Sequence, residues 1–122
     1  MVKCVSVLGS TGSIGRQSLD IISRLPEVKV GALTAGTSVE MMAEQCRQFR
    51  PALAVMATEE AAAQLKAAIS DLPTRVCWGE EGLIEAATLE GVDCVITAVV
   101  GMVGLKPTLA AIRAGRRIGL AY

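Results

Sequence analysis

The sequence predicts an α/β protein built as a doubly wound parallel sheet of about six strands, with helices on both faces in a three-layer αβα arrangement. Three observations predict it. Short β-rich runs alternate with longer segments of helical period, a glycine-rich turn follows the first such run, and the 122 residues are 52% apolar and 20% charged, which suits one domain with a real core.

The first strand is read at Val2 to Leu8, and the turn Gly9 to Gly15 leads into a helix whose Leu19, Ile22 and Leu25 recur every three residues along one side. Pro26, lacking an N–H and crowding the preceding turn, stops that helix. Val28 to Thr34 is the second strand. Val39, Met42, Cys46 and Phe49 follow at spacings of three, four and three, the buried stripe of a second helix that ends at Arg50-Pro51. Leu53 to Met56 makes a third strand. Thr58 then suits an N-cap, with Glu59 and Glu60 complementing the helix dipole and Leu65, Ile69 and Leu72 facing inward.

Arg75 to Trp78 is a fourth strand, followed by a shorter helix near Glu80 to Leu89. Val92 to Ala98, dense in β-branched residues, is the fifth strand and is expected to be central. The last helix has Pro107 near its start, Leu109 and Ile112 on its inner face and Gly115 just past its end, and Arg116 to Ala121 completes a sixth strand. Arg113, Arg116 and Arg117 gather where cations suit the negative end of that helix, and read as a solvated end.

Twelve basic and twelve acidic residues cancel, so no charge excess is available to neutralise nucleic-acid phosphates or to hold an anionic membrane surface. A phosphate-bearing ligand must be held by local geometry instead. Histidine is absent, which removes the commonest general base and metal ligand, and the three aromatics, Phe49, Trp78 and Tyr122, are too few for stacking along a single strand of nucleic acid. Cys4, Cys46, Cys77 and Cys94 show no paired spacing and read as buried free thiols rather than a metal site. The apolar run after Met1 is broken by Gly9, too short for a signal peptide or a membrane span, and reads as a cytosolic start.

In a doubly wound sheet the ligand crevice lies beyond the C-terminal ends of the strands, which here gathers the loops beginning at Gly9, Ala35 and Val99. Gly9-Ser10-Thr11-Gly12-Ser13-Ile14-Gly15 stands between a strand and a helix, where glycines allow a tight turn and a close approach to a diphosphate, and the helix start supplies unpaired N–H groups. The hydroxyls of Ser10, Thr11 and Ser13 are candidate donors. The spacing is Gly-x-x-Gly-x-x-Gly rather than the commoner Gly-x-Gly-x-x-Gly, and a ligand-free strand-to-helix turn is the plain alternative. Following the first strand of a βαβ series, the turn points to a Rossmann-type nucleotide domain.

NAD-binding domains usually place an acidic residue about 20 residues beyond the glycine loop, at the end of the second strand. Here that strand ends Thr34-Ala35-Gly36-Thr37-Ser38, with no acid to repel a 2′-phosphate, which favours NADP over NAD. Thr37-Ser38-Val39-Glu40 also reads as a capping box that starts the second helix without any ligand, and the two readings are compatible. Ala98 to Gly104 leaves room for a flat ring against the backbone, or is simply a buried strand running into a Gly-rich turn.

Together, the loop reading GSTGSIG, Gln45-Cys46 followed by Phe49 and Pro51, and above all Val99 to Gly115 reading VVGMVGLKPTLAAIRAG closely resemble the N-terminal domain of the 1-deoxy-D-xylulose 5-phosphate reductoisomerase family. The resemblance spans essentially the whole chain. It implies an enzyme of isoprenoid biosynthesis that rearranges 1-deoxy-D-xylulose 5-phosphate and reduces the product with NADPH to 2-C-methyl-D-erythritol 4-phosphate. A divalent metal, Mg or Mn, would polarise the substrate in the full-length enzyme, on acidic ligands downstream of this stretch.

Carried onto this chain, the family's cofactor contacts fall on Thr11, Gly12, Ser13 and Ile14 at the diphosphate end and on Gly36, Thr37 and Ser38 at the adenosine ribose. Family members often carry a basic residue where Thr37 stands, and continue Ala-Asn-Lys-Glu where this chain reads Ala121-Tyr122. The resemblance thus implies residues 1–122 as an NADP-binding domain, without the downstream metal- and substrate-binding parts, that binds NADPH without turnover. The full-length protein is expected to be a cytoplasmic homodimer with no nucleic-acid or membrane partner. Other readings are the cofactor domain of another NADP enzyme, such as an aspartate-semialdehyde or homoserine dehydrogenase, and a non-catalytic nucleotide-binding module. The segment Gly101 to Gly115 argues against the first of these.

Overall fold

The computed structural model describes residues 4–97 and the backbone of residues 117–120. The described elements run β1 (Cys4–Leu8), α1 (Ser13–Ser23), β2 (Lys29–Thr34), α2 (Val39–Phe49), β3 (Leu53–Met56), α3 (Glu59–Ala68), β4 (Arg75–Trp78), α4 (Gly79–Thr88), β5 (Cys94–Thr97) and β6 (Arg117–Leu120). The last helix and the Val99 to Gly115 motif of the sequence reading lie outside the described residues, as do Ala98, Arg116 and Ala121 at the ends of the expected strands.

The strands pair in parallel in the order β4-β3-β2-β1-β5-β6. The chain winds outward from β1 to β4, then returns to the other side of β1 to lay down β5 and β6, so the sheet is doubly wound and its direction reverses between β1 and β5. β5 is interior, flanked by β1 and β6, while β1 and β2 form the middle pair.

Alternation along the strands builds the layers. Val5 and Val7 belong to a core shared with Leu19 and Ile22 of α1, Met42 and Cys46 of α2 and Ala62 and Leu65 of α3. Leu8, Ala32, Leu53 and Val55 belong to a second core under Ala86 and Ala87 of α4. Three described helices therefore cover one face and α4 the other, as the period-2 geometry of a strand buried on both faces requires. Ser6 sits on the α4 face and is satisfied by donating its hydroxyl to the Ala86 carbonyl at 2.8 Å.

Local chemistry sets most helix boundaries. Thr58 caps α3 by accepting from the Ala61 N–H at 3.1 Å. Arg47 of α2 donates to the Ala68 carbonyl at 2.8 Å and pairs with Asp71, fastening the last turn of α3 to α2. α2 ends on Arg50, which turns left-handed at φ 47 just before Pro51.

The sequence reading needs three corrections. α1 stops at Ser23, where the Arg24 N–H doubles back to Ile21 and Ile22, so Leu25 falls beyond the helix and stands exposed. Val92 and Asp93 precede β5 rather than belonging to it. Of the four cysteines, all free, only Cys46 is buried; Cys4, Cys77 and Cys94 are half-buried on strands.

Candidate nucleotide-binding site

Register brings the expected loops to one level. Leu8 of β1 aligns with Thr34 of β2 and with Thr97 of β5, so the turn from Gly9, the loop from Ala35 and the chain leaving Thr97 emerge together at the C-terminal edge of the sheet. The loop from Val99 lies outside the described residues.

Thr34 closes the glycine turn. Its carbonyl accepts from the N–H groups of Gly9 at 3.0 Å and Ser10 at 2.8 Å, and its hydroxyl oxygen accepts from the Gly9 N–H at 3.0 Å. Gly9 takes φ 84, a left-handed conformation that side chains disfavour. Ser10 is fully buried, its hydroxyl turned to the Met42 sulfur at 3.7 Å and its carbonyl held by Gln45 Nε2 at 2.8 Å. The Ser10 hydroxyl is therefore spent inside the protein and is no donor for a ligand.

The following residues face outward. Thr11 is half-buried, and Gly12, Ser13 and Ile14 are exposed. α1 begins at Ser13 with Gly12 as its N-cap, no side chain caps it, and no acid lies in its first turn. Its amide hydrogens and the positive end of its dipole are thus presented without competition, an arrangement that attracts an anion. A Cβ on Gly12 would meet no protein atom nearer than 3.6 Å. The protein's own packing leaves that position open.

Gly36, Thr37 and Ser38 form the exposed loop after β2, and among the described residues nothing lies within 4 Å of a Cβ built on Gly36. The capping box expected at Thr37 and Glu40 does not form. α2 starts one residue later, with Ser38 as N-cap and no side-chain cap bond, because the Val39 N–H folds back onto the Thr37 carbonyl at 2.9 Å. Glu40 lies in the first turn of α2, a charge that weakens anion binding there by about 0.3–1 kcal/mol, so α1 is the better phosphate site of the two.

A cleft of about 360 Å³ joins the two halves: Gly9, Ala35 and Gly36 lie along it, with Met56, Ala57 and Leu83 supplying apolar wall. All seven residues expected at a cofactor thus stand on two neighbouring loops, or on the helix start that follows the first of them, at the switch edge of the sheet. Thr34 and Gln45, which hold the first loop, were missed. The signal for Gln45 was its place between Met42 and Cys46, a polar residue on an otherwise apolar helix face. Among the described residues no group of three or more His, Cys, Asp or Glu side chains gathers as a metal site.

Comparison with known proteins agrees with this geometry. The chain is 52% identical over 120 residues to 1-deoxy-D-xylulose 5-phosphate reductoisomerase of Lachnospira eligens, covering 98% of this chain and 32% of that protein. Its fold matches the Zymomonas mobilis reductoisomerase solved in complex with NADPH, with a TM-score of 0.92 and 38% identity over 99% of this chain and 32% of the other. A reductoisomerase solved with NADPH, fosmidomycin and magnesium matches with a TM-score of 0.90 and 39% identity, covering 96% and 29%. The chain spans about a third of the length of these relatives. Residues 5–122 match the family as a whole, and the chain belongs to the 1-deoxy-D-xylulose 5-phosphate reductoisomerase family.

Proposed function

We propose that this chain is the NADPH-binding domain of a 1-deoxy-D-xylulose 5-phosphate reductoisomerase, a NADP-dependent enzyme that makes 2-C-methyl-D-erythritol 4-phosphate for isoprenoid synthesis. The observation that carries the reading is the uncapped, acid-free start of α1 behind a glycine turn whose first residue, Gly9, lines one cleft with Gly36. Thr11, Ser13 and Ile14 would hold the diphosphate with backbone N–H groups, while Gly12, whose own N–H turns back to the Gly9 carbonyl at 3.3 Å, would give it room to approach. Gly36, Thr37 and Ser38 would take the adenosine ribose and its 2′-phosphate, for which the loop offers hydroxyls and no acid. The apolar wall of Met56, Ala57 and Leu83 suits a flat base.

When bound, the reduced nicotinamide supplies hydride to the rearranged substrate. The residues of this chain bind and orient. They hold the cofactor by its phosphates at the switch edge, so that the reactive ring is fixed against whatever the rest of the protein presents. Because the chain covers about a third of its relatives' length, binding rather than turnover is the activity proposed for it, and no metal-dependent step is assigned to the described residues. For the full-length protein we propose Mg or Mn as the metal, a homodimer as the assembly and the cytoplasm as the compartment. No helix among the described residues is long and apolar enough to cross a membrane.

A titration of the chain with NADPH and NADH side by side tests the assignment. Preference for NADPH is expected. Equal affinity removes Thr37 and Ser38 as phosphate partners, and absence of NADPH binding overturns the whole reading.

A further inference from the structure

Cys46 belongs to the core and Phe49 packs against it, but Gln45 is a polar side chain in the same buried stripe, only 8% exposed. Its Nε2 donates to the Ser10 carbonyl at 2.8 Å, across 35 residues of sequence, while its Oε1 is buried with no partner among the described residues. A buried acceptor without a donor is destabilising, and an unbranched apolar side chain would fill the same space without that cost. Packing therefore does not account for Gln45, and the bond to Ser10 does.

Ser10 is gripped at each of its polar groups. Its N–H is taken by the Thr34 carbonyl, its hydroxyl by Met42 and its carbonyl by Gln45, the last two both from α2. In a trans peptide the C=O and the following N–H point in opposite directions, and no cis peptide occurs among the described residues. With the Ser10 carbonyl drawn in toward α2, the N–H of Thr11 is aimed outward. No hydrogen bond from that N–H forms among the described residues.

We infer that Gln45 is a positioning residue for the cofactor: by holding the Ser10 carbonyl it sets the Ser10–Thr11 peptide so that the Thr11 N–H is presented to the diphosphate. The inference rests on the nucleotide-binding reading above. It ties α2 to both ends of the dinucleotide, the ribose end through the loop that leads into it and the diphosphate end through its second turn. Gln45 touches no cofactor atom itself.

The test compares the chain with its Gln45→Met and Gln45→Glu variants in titrations with NADPH and NADH, together with thermal melting and the amide resonance of Thr11 in the free protein. Met keeps the length of the side chain without the donor, and Glu, titrated at a pH where it is ionised, puts an acceptor against an acceptor. Both variants are expected to weaken NADPH and NADH by the same factor, about tenfold, because the diphosphate is common to both. The Thr11 resonance should move. Gln45→Met should melt within about 4 °C of the parent, since one unpaired buried acceptor replaces another.

If the parent chain binds NADPH and a folded Gln45→Met variant binds as tightly, the inference fails while the nucleotide-binding reading stands. A changed NADPH to NADH ratio also overturns it. Should Gln45→Met not fold, Gln45→Glu is read in the same way, and failure of both to fold assigns Gln45 to folding alone and overturns the inference. Failure of the parent chain to bind NADPH sinks the underlying reading instead.

Discussion

Gly15, in the first turn of α1, passes so close to the carbonyl oxygen of Gly9 that a Cβ on Gly15 would stand 2.1 Å from it and 2.7 Å from the Ser10 Cα. Both obstacles are backbone, fixed by the Thr34 bonds that close the turn. The third glycine of the loop is thus a packing requirement between helix and strand.

Gly15→Ala sets two opposing effects against each other. Alanine in a helix is favoured over glycine by about 1 kcal/mol, but forcing a methyl into a packed site costs roughly 1–3 kcal/mol and more where backbone must yield. The second wins. Net destabilisation of about 2 kcal/mol is expected by thermal or urea melting, with NADPH binding weakened because the turn itself must move. A melting temperature equal to the parent's would refute this packing.

Gly12→Ala should do the reverse. Its Cβ meets nothing closer than 3.6 Å, and Gly12 sits at φ −76, which alanine adopts freely. Stability should change by less than about 1 kcal/mol, the range of an N-cap exchange. NADPH affinity should nevertheless fall tenfold or more, because the methyl occupies the approach to the uncapped amides, and calorimetric titration reads this directly. Retained affinity would move the diphosphate away from Gly12.

Period and capping are local properties, so the elements they govern were legible in the sequence. Thr58 caps α3, Pro51 follows the end of α2, and the glycine loop stands at the edge where the sheet reverses. What was not legible depends on particular hydrogen bonds, some between near neighbours and some between distant residues. The end of α1 before Leu25 is set by how the Arg24 N–H folds back, the capping box at Thr37 gives way to a turn within the β2–α2 loop, and the bonds of Thr34 and Gln45 to the glycine turn span 25 and 35 residues. No periodicity reports such pairings.

Cys46 gives the fold a pH dependence. Burial in the core pushes its thiol from the ordinary 9.0 up to about 11. The unfolded chain therefore releases this proton at a lower pH than the folded chain does. The resulting stability is fully present below about pH 9 and is lost as pH rises toward about 11. Urea melts of the parent and of Cys46→Ala across that window isolate the effect, since the variant has no thiol to titrate. The stability gap between them should shrink with rising pH, and a constant gap would show that burial leaves the thiol titrating where it does in the unfolded chain.

Thr37 is exposed on the loop after β2, just before the uncapped start of α2. Replacing it with lysine adds a cation beside the position proposed for the 2′-phosphate, which NADH lacks. A charge-assisted hydrogen bond there is worth about 1.5–3 kcal/mol when well formed, and solvent exposure with Glu40 nearby reduces that, so a gain of about tenfold in NADPH affinity is expected for Thr37→Lys. NADH affinity should stay unchanged, and the gain should shrink when the titration is repeated at high salt, as it must for an exposed pair. A lysine that tightens both cofactors equally would be acting on the diphosphate, and Thr37 would no longer mark the ribose end of the site.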